Sequence, residues 1–392
     1  MTGRRGFGVW LLASGQTFAF ACLFYSFAAL IVSIEADLGW AKRDFALGPM
    51  LAIGISAVLA PFVGRLVDRG RGPALLVGGA VLGGAALFGL AQVTARGPYL
   101  AFWAVIGVAQ SACLYSVAFA FLVRRFGGDA RSRIIRVTLV AGFASTIAFP
   151  AGAALADAFG WRMAVMIAGG VMLLVTAPVH WYACRLIRAE TAVQVEIGGG
   201  EGLVWAALRR PLFWGLAALF GLVNLNHWIL INFLVPLLIG LGVSHGWAVL
   251  AAACVGPSQT LGRFALMQTE ARIGTNQALM ITIAMMLAAS GLLAVAGAAP
   301  VLIFGFAALQ GAAMGIKTIL RPSLVAEGLG RAQFGAINGM LSIPSLTASA
   351  IAPLVAAVLF EGFGPMGMIG ASFAMALGAL ALARWVVAQN AA

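Results

Sequence analysis

Gly64-Arg65-Leu66-Val67-Asp68-Arg69-Gly70-Arg71-Gly72 sets four charged side chains between two long apolar runs. Charges are costly in hydrocarbon, so such a block marks a tight aqueous turn between two membrane helices. The flanking runs are long enough for this, since a helix needs about 20 apolar residues to cross a bilayer.

Composition extends the reading to the whole chain. Of 392 residues, 62% are hydrophobic and 9% charged, with a mean hydropathy of +1.02. A soluble domain carries about 25% charged residues, so an all-α integral membrane protein is expected. Twelve transmembrane helices are placed at 9–34, 45–67, 74–94, 99–123, 135–157, 162–186, 211–237, 246–268, 275–297, 300–325, 333–360 and 365–389. Only Ala95-Arg96-Gly97-Pro98 divides the third span from the fourth, and only Gly297-Ala298-Ala299-Pro300 the ninth from the tenth. The first run is too long for a signal peptide and lacks a small-residue cleavage site, so an uncleaved first span is expected.

The net charge of +12 does not point to nucleic acid, because the arginines gather in alternate loops. Arg4, Arg5, Arg65, Arg69, Arg71, Arg124, Arg125, Arg131, Arg133 and Arg136 are among those on the N-terminal side of the bilayer. The opposite side holds Lys42, Arg43, Arg96 and Arg162. By the positive-inside rule both termini are cytoplasmic, in an inner (plasma) membrane.

The one long polar stretch, Arg185 to Arg210, includes Glu190, Glu196, Gly198-Gly199-Gly200 and Glu201. It divides the chain into an N-terminal six-helix bundle (1–188), a cytoplasmic linker (189–210) and a C-terminal six-helix bundle (211–392). An internal echo supports duplication: Leu38-Gly39-Trp40, Phe159-Gly160-Trp161 and His245-Gly246-Trp247 each follow an odd-numbered span. Phe363-Gly364 holds the equivalent place after the eleventh, with Pro365 where Trp would stand. Two six-helix bundles around a central cavity make an alternating-access carrier. The fifty glycines fit helices that pack closely and rock.

Ionisable and amide side chains within spans are site candidates by default. On the seventh span Asn224 and His227 share a face, while Asn226 points away. Interhelical hydrogen bonding alone would also account for all three. On the tenth, Gln310, Lys317 and Arg321 follow at spacings of seven and four, one stripe of a helix. Two cations in an apolar stripe repel unless something negative lies between. Yet Glu35, Asp37, Asp157, Glu327 and Glu361 all fall near helix ends or loops. The missing counter-charge reads as the substrate; a snorkelling lysine is the structural alternative. The eighth span adds Gln259 and Arg263 on one face. Smaller contributions come from Gln16, Tyr25 and Ser26 on the first span, Gln110, Ser111 and Tyr115 on the fourth, and Ser342, Ser345 and Ser349 on the eleventh.

The chain lacks the Gly-x-x-x-x-Gly-Lys-Ser/Thr phosphate loop of ATP-driven pumps. His180, His227 and His245 have no ligand-like spacing, and Cys22, Cys113, Cys184 and Cys254 no zinc or redox spacing. Neither an enzyme, a cofactor nor a metal site is expected.

The stretch Gly64-Arg65-Leu-x-Asp68-Arg69-x-x-Gly72 closely resembles the loop between helices 2 and 3 of major facilitator superfamily transporters. That resemblance implies a gate: Gly64 lets two helices approach, and Arg65, Asp68 and Arg69 clasp a neighbouring helix in one conformation. Asp37-Leu38-Gly39-Trp40-Ala41-Lys42-Arg43 resembles the Phe-Gly-Trp-Ser-Arg stretch of the monocarboxylate and oxalate/formate porter branch. Gly256-Pro257-Ser258-Gln259-Thr260-Leu261-Gly262-Arg263 is similar to that branch's Gly-x-x-Asp-x-x-x-Arg, where the arginine pairs with the substrate carboxylate. Gln259 stands at the aspartate position, which leaves carboxylate-borne proton coupling without its residue. Gly262-Arg263 followed by Glu270 and Arg272 also looks like a degraded copy of the helix 2–3 motif.

The expected function is therefore a monomeric secondary transporter of a small organic anion, a carboxylate, in the lipid bilayer. Multidrug or other small-molecule export is the alternative. Protons could ride on His227, since an ordinary imidazole titrates at about 6.5. They could also ride on the substrate, or a counter-anion could be exchanged.

Overall fold

The computed structural model describes residues 6–40, 42–190 and 202–391, without the side chains of Val32, Lys42, Arg43, Asn390 and Ala391. Arg4, Arg5, and the linker residues Glu196, Gly198-Gly199-Gly200 and Glu201 lie outside the described residues.

All regular structure among the described residues is helical, in twelve spans. We label them α1 (7–38), α2 (Lys42–Leu66), α3 (Gly72–Leu90), α4 (96–126), α5 (130–159) and α6 (161–190). The second set is α7 (211–240), α8 (His245–Thr269), α9 (Thr275–Val295), α10 (Leu302–Gly328), α11 (334–363) and α12 (365–391). A short helix, Gly202–Arg209, precedes α7. Outward-facing residues are as apolar as the cores: Leu174 is 79% exposed and Leu354 69%. That pattern suits a lipid surround.

Several boundaries differ from expectation. Arg96-Gly97-Pro98 opens α4 and is no loop, because proline costs nothing in a first helical turn. The charged block at 67–71 is a single wide helical turn that reverses at Gly70, whose φ of 87° favours glycine. Five of the twelve spans carry an internal irregularity: π-helical turns at Ala21–Tyr25 and Met172–Thr176, and breaks at Leu114, at Gly142-Phe143 and at Phe233.

The internal echo holds in three places and fails in one. Gly39, Gly160 and Gly364 all adopt positive φ (64°, 80° and 64°) and end a helix. After α7 that role falls to Gly242 (φ 85°), while Gly246 lies inside α8. His245-Gly246-Trp247 is therefore a likeness of letters without a likeness of backbone.

The chain resolves into two compact units, 1–204 with Gly330–Met340, and 205–329 with Leu341–Ala392. In the first, α2 packs on α4 and α3 on α4; in the second, α8 and α9 pack on α10. The α8–α10 seam is set by small residues. A Cβ at Gly315 would lie 2.1 Å from the Gln259 carbonyl, and one at Gly311 2.5 Å from that of Val255. Backbones this close need glycine on one side.

One end of the first unit is closed by a polar latch. Arg162 Nη1 donates to the carbonyls of Ala91 (2.8 Å) and Val93 (3.0 Å) at the end of α3. Its Nη2 meets Asp37 Oδ2 at 3.1 Å, and Trp161 Nε1 donates to the same oxygen at 2.9 Å. Arg162→Ala should destabilise the protein by on the order of 1–3 kcal/mol, from the two carbonyl bonds alone. The exposed pair with Asp37 adds little, because solvent screens it. A thermal melt of the purified protein checks this; an unchanged midpoint would show that water replaces the guanidinium without loss.

Candidate functional site

In the second unit the sequence candidates separate into two buried groups on α7. Asn224 Oδ1 accepts from Lys317 Nζ at 2.6 Å, and its Nδ2 donates to the Ser345 carbonyl and to Ser349 Oγ, both at 2.6 Å. One amide thus ties α10 to α11 and presents its dipole to the lysine. Asn226 points the other way, as its helical position requires. Its Nδ2 donates to the Ser372 carbonyl (2.8 Å) and Oγ (2.9 Å), and its Oδ1 accepts from Gln310 Nε2 at 3.2 Å. Ser290 Oγ completes that group, 2.9 Å from Ser372 Oγ. Every member is buried, so this is a brace between α7, α9, α10 and α12. Gln310 shares a stripe with Lys317 in sequence, but its amide is engaged in the brace.

The cations of this unit lack acidic partners among the described residues. Lys317 is 8% exposed and Arg263 6%. Arg263 makes no hydrogen bond or ion pair among the described residues, and its buried Nε is unsatisfied. Arg321 is half-buried one turn beyond Lys317 and likewise bonds no described side chain. His227 is buried with its Nδ1 unsatisfied, its ring edge-on to Trp228. Gln259 is half-buried on α8, a turn before Arg263. Burying a guanidinium with open valences is expensive. It persists where an anion or water completes the site.

In the first unit Asp68 caps a neighbouring helix, whereas Arg69 bonds no described side chain. The Asp68 carboxylate accepts the backbone N–H groups of Gly335 (2.8 Å) and Ala336 (2.9 Å). These are free donors of a helical first turn, where the dipole also favours negative charge. A Cβ at Gly64 would lie 2.0 Å from the Gly335 carbonyl, so glycine is required for this approach. Arg65 stacks over Phe62. Arg69 is exposed and makes no hydrogen bond or ion pair among the described residues. The turn is held instead by Arg124, which donates to the carbonyls of Val67 (3.1 Å) and Asp68. Arg188 reaches the Gly70 carbonyl at 3.3 Å. Sequence reading missed Arg124 because a last-turn arginine on α4 looks like an ordinary interfacial charge.

Gln110, Tyr25 and Tyr115 also lie in the first unit. Gln110 is 6% exposed and donates to the Leu23 carbonyl at 2.7 Å. Tyr25 and Tyr115 are half-buried beside the irregular turns of α1 and α4. Gln16, one of the minor candidates, forms a buried pair with His180 at 3.2 Å.

A twelve-span helical protein with an N-capping Asp68 turn in one bundle and an acid-free cation group in the other is built as a membrane carrier. The chain belongs to the Major Facilitator Superfamily, which it matches over residues 12–343. A protein of Mycolicibacterium smegmatis (strain ATCC 700084 / mc(2)155), described as an MFS-type efflux pump, is 30% identical over 174 residues. That match covers 43% of this chain and about two-fifths (40%) of the relative's length. The crystal structure of the transporter FucP in its outward conformation superposes with a TM-score of 0.75 at 15% identity, covering 96% of this chain and 98% of that one. A single-site variant of FucP, the E. coli fucose:proton symporter, gives 0.70 at 14%, with the same coverage. These likenesses establish the shared fold.

Proposed function

We propose that this chain is a secondary active transporter of a small organic anion, a carboxylate, working by alternating access. The observation that carries the reading is the buried cation group of the second unit. Lys317, Arg321 and Arg263 face no carboxylate among the described residues of that unit. In a low-dielectric interior a cation attracts an anion far more strongly than at a surface. Lys317 and Arg263 supply the attraction in this reading, and Asn224 and His227 the orientation. Arg321 and Gln259 flank them. The resemblance of 256–263 to the monocarboxylate porters' arginine motif supports the same class.

Gly64, Arg65, Asp68 and Arg69 form the gate segment, with Asp68 as its working group. The protein sits as a monomer in the inner membrane with both termini cytoplasmic, as the arginine distribution favours. The driving force is a proton, carried by His227 or by the substrate, or a counter-anion.

Export of uncharged or cationic compounds is the second reading, favoured by the efflux pump of Mycolicibacterium smegmatis. Against it stands the lack of an acidic residue near the centre of any span, where a proton-driven exporter of cations would place one. Proteoliposome uptake with carboxylates, amines and sugars decides between them. Carboxylates are expected to be taken up; preference for amines would overturn the anion reading.

A further inference from the structure

The α8–α10 seam of the second unit has an outer side that the cation group does not use. α8 and α9 each pack along α10 and hardly touch one another. Between them runs a groove of about 470 Å³, walled by Leu261 and Ala265 of α8 and by Ile281 and Met285 of α9. Ala308 and Ala312 of α10 form its floor. Alanine keeps that floor low, and Ala308 and Ala265 are both exposed. The walls stand out at Leu261, 65% exposed, and Ile281, 45% exposed.

Two polar side chains line the groove, and neither is offered to an occupant. Ser258 Oγ donates to the Cys254 carbonyl and Thr269 Oγ1 to that of Ala265, both at 2.8 Å. Every other lining residue is apolar. Such a groove does not hold water, which needs about two to four polar partners. On a membrane-spanning segment its open side faces hydrocarbon. What fills it is a hydrocarbon chain.

Length and charge say whose chain it is. Ser258 to Thr269 is about 16 Å of helix at about 1.5 Å per residue. That is roughly half of a hydrocarbon core of about 30 Å, so the groove is one leaflet deep. It ends at Thr269 and Ile273, where α8 itself ends. Arg272 stands exposed there, with no hydrogen bond or ion pair among the described residues. Glu270, half-buried, is the other charge of this turn. A leaflet-deep apolar slot that ends at a surface cation is complementary to one tail and the phosphate of a phospholipid.

We infer that the groove between α8 and α9 binds one phospholipid of the surrounding bilayer, its tail along Ala308 and Ala312 and its phosphate at Arg272. The tail supplies the packing that α8 and α9 do not give each other. Within a membrane, close packing is a main source of helix association. The site is independent of the transported substrate.

The test uses phosphatidylglycerol carrying a diazirine in one acyl chain, reconstituted with the purified full-length protein and photolysed. Cross-links should concentrate on the groove residues of α8, α9 and α10. Ala308→Phe should remove them and leave cross-links on other outward faces, such as that of Leu354, in place. Ala265→Phe fills the groove from its wall and takes over if Ala308→Phe does not fold. In detergent, phosphatidylglycerol binding followed by native mass spectrometry should weaken about fivefold in Arg272→Gln, the usual worth of one cation at a membrane surface. Cross-links spread evenly over all outward-facing residues would show an annular lipid only and overturn the site. Groove cross-links that survive both filling variants in folded protein overturn it too. Unchanged affinity in Arg272→Gln overturns the placement of the phosphate.

Discussion

Lys317→Gln is expected to weaken binding of a carboxylate substrate by about tenfold to a hundredfold. Lys317 Nζ donates to Asn224 Oδ1 at 2.6 Å. The substitution removes the charge and leaves a shorter, neutral donor in its place. A charge-assisted hydrogen bond is worth about 1.5–3 kcal/mol, which converts to the stated range. Affinity and melting temperature should be measured together on Lys317→Gln and Arg263→Gln. If the lysine is only a tie between helices, binding stays normal and the melting temperature falls. Unchanged affinity in both variants would remove the electrostatic basis of the substrate assignment.

The second large effect is expected at the gate. Asp68→Asn should slow transport by an order of ten or more while protein level and substrate affinity hold. The carboxylate accepts two backbone N–H groups through two oxygens. An amide offers one acceptor and sets its own N–H against the second donor. Loss of a charged hydrogen bond of about 1.5–3 kcal/mol shifts a two-state balance by as much as a hundredfold, without touching substrate. Counterflow and net-uptake rates in proteoliposomes read this directly. Wild-type rates in Asp68→Asn would reduce the motif to a marker of topology.

The twelve spans and the charged turn at 64–72 were legible because hydrocarbon permits few alternatives. A long apolar run must be a helix, and a charge block must leave the bilayer. Helical spacing also separated Asn224 from Asn226 correctly, and structure places the two in different polar groups. The irregular turns of α1 and α4 were not legible. Neither Ala21–Tyr25 nor Leu114 contains proline or glycine, and nothing local disfavours regular helix there. Those backbones are stabilised by Gln110 and Gln16, 87 and 97 residues away in sequence.

The same division runs through the site. Sequence alone determined that buried cations outnumber buried acids, because solvation cost makes every charge in a span conspicuous. It could not say which of them are spoken for. Gln310 and Gln110 read as substrate contacts by residue type; packing gives the Nε2 of each a protein acceptor, while the buried Gln310 Oε1 has none among the described residues. Arg69 looked like the clasp by motif, yet packing brings Arg124 to the turn instead. Polar side chains in a dry interior must find partners, and which partners lie within about 3 Å is decided by how the helices pack.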